Sequence, residues 1–454
     1  MKTTKNIAVC LTLLLSTATL SQEGEMDPLL DPGLFHAKIL ATLLPPMSEI
    51  VRDCDKAIAN TSDDRIIAMH LCLKSEALSL QKQNNASFTA SQSAMSLLPE
   101  HNRVRVAHAR SLARLGEFHA AVELCNKALE TDSRYVPALV LNATIKSQEL
   151  GQIESALEDV NAAISQDALD SRAYMIRALV KNRLGRSQEA LEDIDYHLSI
   201  CPTGMLGNEA AAYVQKGLIL QTLGRESEAI RAFETGLIVE PQSLVAAEQL
   251  WRAYNGRRQH FQALLTARRM REINRQHLYS IKASAISSFK TMRYVDSISY
   301  FQEWSSVDPL DGLPIAMEAA CLVGKGQYAA AIAKYDESLA LSPKIETRLA
   351  KAVVLATCED AAVRNQQDAL NEIRIILDQQ PLEVRTAMLV SIVQYECGDQ
   401  LGAIDTVEDQ LATADVLSEK DAAVLNHLID VYQNNKRIAS RYELGNAANE
   451  LILR

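Results

Sequence analysis

Four stretches of the chain decide its fold: ARLGEFHAAVELCNKALETDS (113–133), QELGQIESALEDVNAAISQDA (148–168), NRLGRSQEALEDIDYHLSICP (182–202) and QTLGRESEAIRAFETGLIVEP (221–241). Each carries Leu-Gly, then a small residue five places on: Ala121, Ala156, Ala190 and Ala229. Four places further come Cys125, Val160, Ile194 and Phe233, and two stretches close on Pro202 and Pro241. The glycines Gly116, Gly151, Gly185 and Gly224 stand 35, 34 and 39 residues apart. A fixed period of this size marks a stacked-repeat protein. Each unit reads as two helices. The glycine accepts the left-handed backbone that ends the first. The alanine lets the second cross closely, and the bulky residue one turn on fills the gap. One pair cannot bury its apolar face alone, but a stack can.

The ladder continues with Phe261, with Tyr294, Ser297, Phe301 and Pro309, and with Gly326, Tyr328, Ala331, Tyr335 and Pro343. Ala369, Ile373 and Pro381 follow a turn lengthened around Asp360–Asp368, and Gly398, Ala403 and Val407 come last. This pattern resembles the tetratricopeptide repeat family, whose unit is a helix–turn–helix of about 34 residues. The resemblance implies an all-α, TPR-type α-solenoid, a right-handed superhelix of helix–turn–helix pairs. It divides the chain into a signal peptide (1–21), a lead-in with capping helices (22–62) and a degenerate unit (63–101). An array of about nine repeats (102–417) and C-terminal capping helices (418–454) follow. Units are expected to start near 102, 137, 171, 210, 244, 278, 312, 345 and 384. Caps are placed at Leu34–Leu44, Met47–Ala59, Glu419–Asn434 and Ile438–Leu453. The 39-residue spacing predicts a lengthened turn between Ile200 and Ala210, with Pro202, Gly204 and Gly207 supplying turn chemistry; simple length variation is the alternative.

Composition agrees with a helical chain. In 454 residues there are 17 glycines and 12 prolines, both below average usage, and aromatics are 5%. The net charge of -11 argues against nucleic acid as a partner. Lys2 and Lys5 precede a short apolar run from Ile7 to Leu20, with Thr19 and Ser21 at the exit. That is the form of a secretory signal peptide, too short to span a bilayer, although an ordinary N-terminal helix would read alike. The expected location is an exported one: periplasmic or secreted in a bacterium, the endoplasmic reticulum lumen or secreted in a eukaryote. The eight cysteines are scattered, and they read as small core residues. Cys54 and Cys72 are the one pair weighed for a disulfide. Of three glycosylation sequons, at Asn60, Asn85 and Asn142, the last falls inside a helix, where a glycan fits poorly.

No phosphate loop, nucleophile elbow or HExxH occurs, and the nine histidines show no ligand spacing. The chain is expected to be no enzyme and to need no cofactor or metal. Acidic pairs such as Glu158-Asp159 and Glu192-Asp193 recur and are expected on the exposed face of the second helix. Exported TPR co-chaperones join similar arrays to a J domain, but His-Pro-Asp is missing here. The Lys and Asn places of a family carboxylate clamp are not filled either. Groove positions hold Arg103, Arg110, Arg114, Arg172 and Arg183 instead. A basic stretch, Arg252 to Arg275, adds Arg268 and Arg269 among seven arginines opposed only by Glu272. These seven named arginines are the candidate contacts for a protein or peptide partner, an acidic one if guanidinium forks pair with carboxylates. Neutralisation by Glu226, Glu228 and Glu234 is the competing reading. The function expected is an interaction scaffold in an exported compartment. An accessory or regulatory subunit of an exported enzyme or secretion system is the alternative.

Overall fold

The computed structural model of the chain describes residues 47–200, 208–378, 382–413 and 418–434. The expected signal peptide, the Leu34–Leu44 helix, the turn with Pro202, Gly204 and Gly207, and the helix at Ile438–Leu453 lie outside the described residues. Those residues form twenty-two α-helices and no strand. The chain divides into two compact units, Met1–Gly224 and Arg225–Arg454.

In the first unit, α1 (Met47–Ala59) precedes four pairs: α2 (Asp64–Leu80) with α3 (Asn84–Leu97), α4 (Asn102–Arg114) with α5 (Phe118–Thr131), α6 (Val136–Gln148) with α7 (Ile153–Gln166), and α8 (Ser171–Arg183) with α9 (Ser187–Ile200). Helix α10 (Asn208–Thr222) closes the unit. In the second, α11 (Glu226–Val239) leads into α12 (Leu244–Gly256) with α13 (His260–Ile273), α14 (Leu278–Lys290) with α15 (Tyr294–Val307), and α16 (Leu313–Gly324) with α17 (Tyr328–Leu341). Then come α18 (Ile345–Thr357) with α19 (Gln366–Leu377), α20 (Val384–Glu396) with α21 (Gln400–Thr413), and α22 (Glu419–Gln433). Within a unit each helix packs on the next, and first helices of successive pairs also touch, as α2 on α4 and α18 on α20.

Local chemistry sets the ends. Asp63 caps α2 by accepting from the Arg65 and Ile66 amides, and Ser418 caps α22 through the Asp421 amide. Most turns between the helices of a pair hold one residue in the left-handed region. Gly116, Gly151, Gly185, Gly224, Gly326 and Gly398 supply it, with φ from 66° to 88°. At the same place Lys82, Arg258 and Met292 take φ of 57° to 60° without being glycine.

Apart from Phe261, which is 65% exposed while Ala263 and Ala267 of its helix are buried, the ladder read from the sequence is the core. Ala121, Ala156, Ala190, Ala229 and Ala331 are all wholly buried, and so are Cys125, Val160, Ile194, Phe233 and Tyr335 one turn on. Burying one of the larger of these apolar side chains is worth about 1.5–3 kcal/mol. At Gly324 the reason for a glycine is steric. A Cβ there would approach the Tyr294 ring to less than 3.0 Å.

The recurring acidic pairs do not face solvent as expected. Glu158 and Glu192 are exposed, but Asp159 and Asp193 turn toward their own first helix. Adjacent helical residues point about 100° apart, so a pair cannot share one face. Lys146 donates to Asp159 at 2.6 Å; burial nonetheless raises the pKa of this carboxyl. Buried Asp193 accepts from Arg177 at 2.9 and 2.7 Å and pairs with Lys181 at 2.8 Å. In the second unit the same two places carry opposite signs: Glu318 on α16 pairs with Lys334 on α17 at 3.5 Å.

Candidate interaction surface

The first helices of the first unit place Arg103, Arg110 and Arg114 on α4 and Arg172 and Arg183 on α8. Arg110 donates from Nη1 to Glu76 Oε1 on α2 at 2.9 Å, and the two residues are 34 apart, one repeat period. Glu76 is therefore a member of this surface. The sequence reading missed it because it took 63–101 as a degenerate unit, although that period would have found it. Arg172 bonds through Nε and Nη2 to the Asp170 carboxylate at 3.2 and 3.0 Å. Desolvation opposes its charge, and the bonds to Asp170 more than offset that, so its pKa is raised; Glu76 adds to the effect. Arg183 donates to the Ser147 carbonyl on α6. Arg103 and Arg114 make no hydrogen bond or ion pair among the described residues, and Arg114 is exposed. Tyr135, between α5 and α6, has its phenol pKa raised by burial, with Arg103 and Arg110 pulling it down. Helical spacing sets Arg103, Arg110 and Arg114 on one side of α4 and Arg172 and Arg183 on one side of α8; of these, Arg110 meets Glu76 and Arg172 meets Asp170.

Arg105 is a different case. It lies two positions from Arg103 yet is buried. It donates to the Pro99 carbonyl at 2.9 Å, the Lys127 carbonyl at 3.0 Å and Thr131 Oγ1 at 2.8 Å, and it pairs with Glu100. It ties α4 to α5 and is closed to a partner.

The basic stretch of the second unit is not one patch. Arg252 donates to the Tyr279 hydroxyl at 2.8 Å and stacks over that ring. Arg257 donates to Ser227 Oγ at 2.9 Å. Arg269 bonds to Glu272 at 2.8 Å and to the Pro241 carbonyl at 3.0 Å. Arg271 holds Glu303 through two bonds of 2.9 and 2.8 Å and lies over Tyr300. The expected neutralisers are engaged elsewhere: Glu228 with Arg225 at 2.7 Å, and Glu234 with the Tyr254 hydroxyl at 2.5 Å. Arg258 and Arg268 remain exposed with no side-chain partner among the described residues. Arg268 and Arg269 stand on a second helix, not on a first-helix face.

Cys54, Cys72, Cys125, Cys321, Cys358 and Cys397 are free thiols, so the disulfide weighed for Cys54 and Cys72 is not made. Burial pushes their pKa values up, to about 12 for Cys72, Cys125 and Cys321. Asn142 is buried and donates to Asn126 Oδ1 at 2.9 Å, which leaves no room for a glycan. Among the described residues no group of three His, Cys, Asp or Glu is placed to hold a metal ion. No described helix is long and apolar enough to cross a membrane.

Family models for the tetratricopeptide repeat match residues 148–204 and 210–242, so the chain contains tetratricopeptide repeats. Among solved structures it is similar to TTC0263, a TPR protein of Thermus thermophilus, with 17% identity and a TM-score of 0.37 over 41% of this chain and 98% of that one. Yeast Tom70 aligns at 13% identity and a TM-score of 0.37, over 86% of this chain and 100% of that one. YrrB, described as a TPR protein with an unusual peptide-binding site, aligns at 19% identity and a TM-score of 0.32, over 43% of this chain and 97% of that one.

Proposed function

We propose that this chain is a non-enzymatic tetratricopeptide scaffold of an exported compartment, holding a carboxylate-bearing segment of a protein partner on the first-helix face of its first unit. The observation that supports the reading is the placing of Arg103, Arg110, Arg114, Arg172 and Arg183 on first helices of the first unit of an acidic chain. Guanidinium groups match carboxylates in geometry and charge. Arg103 and Arg114 hold unspent donors there. Export is supported by the charged start and short apolar run at Ile7–Leu20. Thiols kept protonated by burial suit an oxidising compartment, because the thiolate is the reactive form.

The test begins with a partner co-purified from the source organism. Its affinity should fall about tenfold or more in Arg103→Glu with Arg114→Glu, and it should weaken as salt rises from about 0.1 M to 1 M, where the Debye length shrinks from about 10 Å to 3 Å. Affinity indifferent to both changes overturns the reading.

A further inference from the structure

The arginines on the first helices of the first unit are not equally free. Along α4, α6 and α8 there is no carboxylate, and α2 carries only Asp64, in its first turn, and Glu76. Arg110 Nη1 on α4 donates to Glu76 Oε1 at 2.9 Å, which is the one hydrogen bond of Glu76 among the described residues. The two side chains are 34% and 36% exposed, so the pair stands open to water. Arg110 is therefore occupied. Arg103, two turns before it on the same side of α4, and Arg114, one turn after it, make no hydrogen bond or ion pair among the described residues. Burial raises the pKa of the Tyr135 phenol, Arg103 and Arg110 pull it down and Glu76 pushes it up. The two guanidinium groups and the carboxylate thus share one neighbourhood.

Asp170, which holds Arg172, makes the contrast. It is buried, and it also accepts from the Arg172 amide at 3.0 Å and so caps α8. Removing it would uncap a helix. Glu76 lies in the body of α2 and caps nothing. A half-exposed pair of this kind holds weakly, because water competes for both charges. Glu76 thus adds neither a cap nor much stability, yet it ties up an arginine on helices otherwise cleared of acids. Its effect falls on the surface rather than on the fold.

We propose that Glu76 stands in for the partner: it occupies Arg110 in the free protein and gives way when a carboxylate of the bound segment takes its place. The inference rests on the function proposed above and adds a threshold to it. A segment gains Arg110 only if it offers a carboxylate that displaces Glu76. One that does not is held by Arg103 and Arg114 alone, and the standing negative charge repels it. Glu76 thereby favours segments rich in carboxylates over those that carry one.

The probe is a fluorescein-labelled peptide of alternating glutamate and serine, about ten residues and so about 33 Å long when extended. It is titrated with the full chain at about 0.1 M salt and followed by anisotropy. A control peptide carries glutamine for glutamate. Glu76→Gln keeps the shape of the side chain and removes its charge. It should bind the glutamate peptide about threefold to fivefold more tightly than the wild type does, and the control peptide no better. Glu76→Gln with Arg110→Gln should lose that gain, since the freed guanidinium supplies it. The melting curve of Glu76→Gln should follow the wild type closely, as for an exposed pair. Equal or weaker binding of the glutamate peptide by Glu76→Gln overturns the proposal, because the carboxylate then orients Arg110 or plays no part. A gain that persists without Arg110 overturns it too. Arg103→Glu with Arg114→Glu, measured alongside, separates the two levels. Wild-type binding indifferent to that pair, or no binding by either protein, overturns the proposed function and this inference together. Binding lost in that pair with no gain in Glu76→Gln overturns this inference alone.

Discussion

Lys82 holds a backbone conformation that its own side chain opposes. Left-handed φ costs an L-residue about 1–2 kcal/mol, and Lys82 sits at φ 60° in the turn between α2 and α3. Glycine removes that cost but loses about 0.4–1 kcal/mol to the freer unfolded chain. Lys82→Gly should therefore stabilise the protein by about 0.5–1 kcal/mol, visible as a higher urea midpoint with an unchanged slope. A lower midpoint would mean that Lys82 makes a contribution the turn geometry does not contain. At this scale the sequence was least informative. Arg103 and Arg105 are the same residue type two places apart, yet two steps along a helix turn a side chain by about 200°. The half-buried Arg103 side chain has no hydrogen-bond partner among the described residues, and the other is locked between Pro99, Lys127 and Thr131. Only the neighbouring helix α5 decides between them, and a residue-type pattern does not record it.

The helix pair is the scale at which sequence and structure agree best. The alanine ladder and its bulky followers are all buried, and helix starts at Asn102, Val136, Ser171 and Leu244 fall within a residue of the periods read from the chain. Burial on a 3.6-residue period is written into residue size, so it was legible. What the pattern hid is polar. Asp193 looked like half of a solvated acidic pair and instead neutralises Arg177 and Lys181 inside the α8–α9 pair. Asp193→Ala should cost about 3 kcal/mol, because it leaves Arg177, largely covered, with no carboxylate and Lys181 with only Glu189 at 3.6 Å. A loss below about 1 kcal/mol, as for an exposed ion pair, would contradict the burial. Gly324 offers a steric counterpart. A methyl group there meets the Tyr294 ring, so Gly324→Ala should destabilise by about 1–3 kcal/mol. Tyr294→Leu in the same chain should recover part of that loss in thermal melts.

Across the whole molecule, acid should be the selective stress. Burial lowers the pKa of His108 and His197 below 6.5. Unfolded, both rings take up a proton near 6.5; folded, they resist it. The unfolded chain then binds more protons as pH falls, so this stabilisation is intact above pH 6.5 and is lost progressively below it. Melting temperature should decline from pH 6.5 toward 5, and His108→Gln with His197→Gln should flatten that slope; an unchanged slope assigns the acid sensitivity elsewhere. The interaction surfaces were only half legible at this scale. Arg103, Arg110, Arg114, Arg172 and Arg183 were chosen as candidates by their place in the repeat. Arg268 and Arg269 were chosen by local density, which says nothing of partners such as the Pro241 carbonyl that takes Arg269. A protein built of near-copies also risks mistaking one copy for another as it folds, since any first helix finds an acceptable alanine ladder on several second helices. Arg177 facing Asp193, and Glu318 facing Lys334 in the same places, turn that tolerance into discrimination. An exchange of partners would set Arg177 against Lys334, or Glu318 against Asp193, and repulsion would expel the wrong match. Charge thus labels the α16–α17 pair differently from the α8–α9 pair, so a first helix of one is turned away by the second helix of the other.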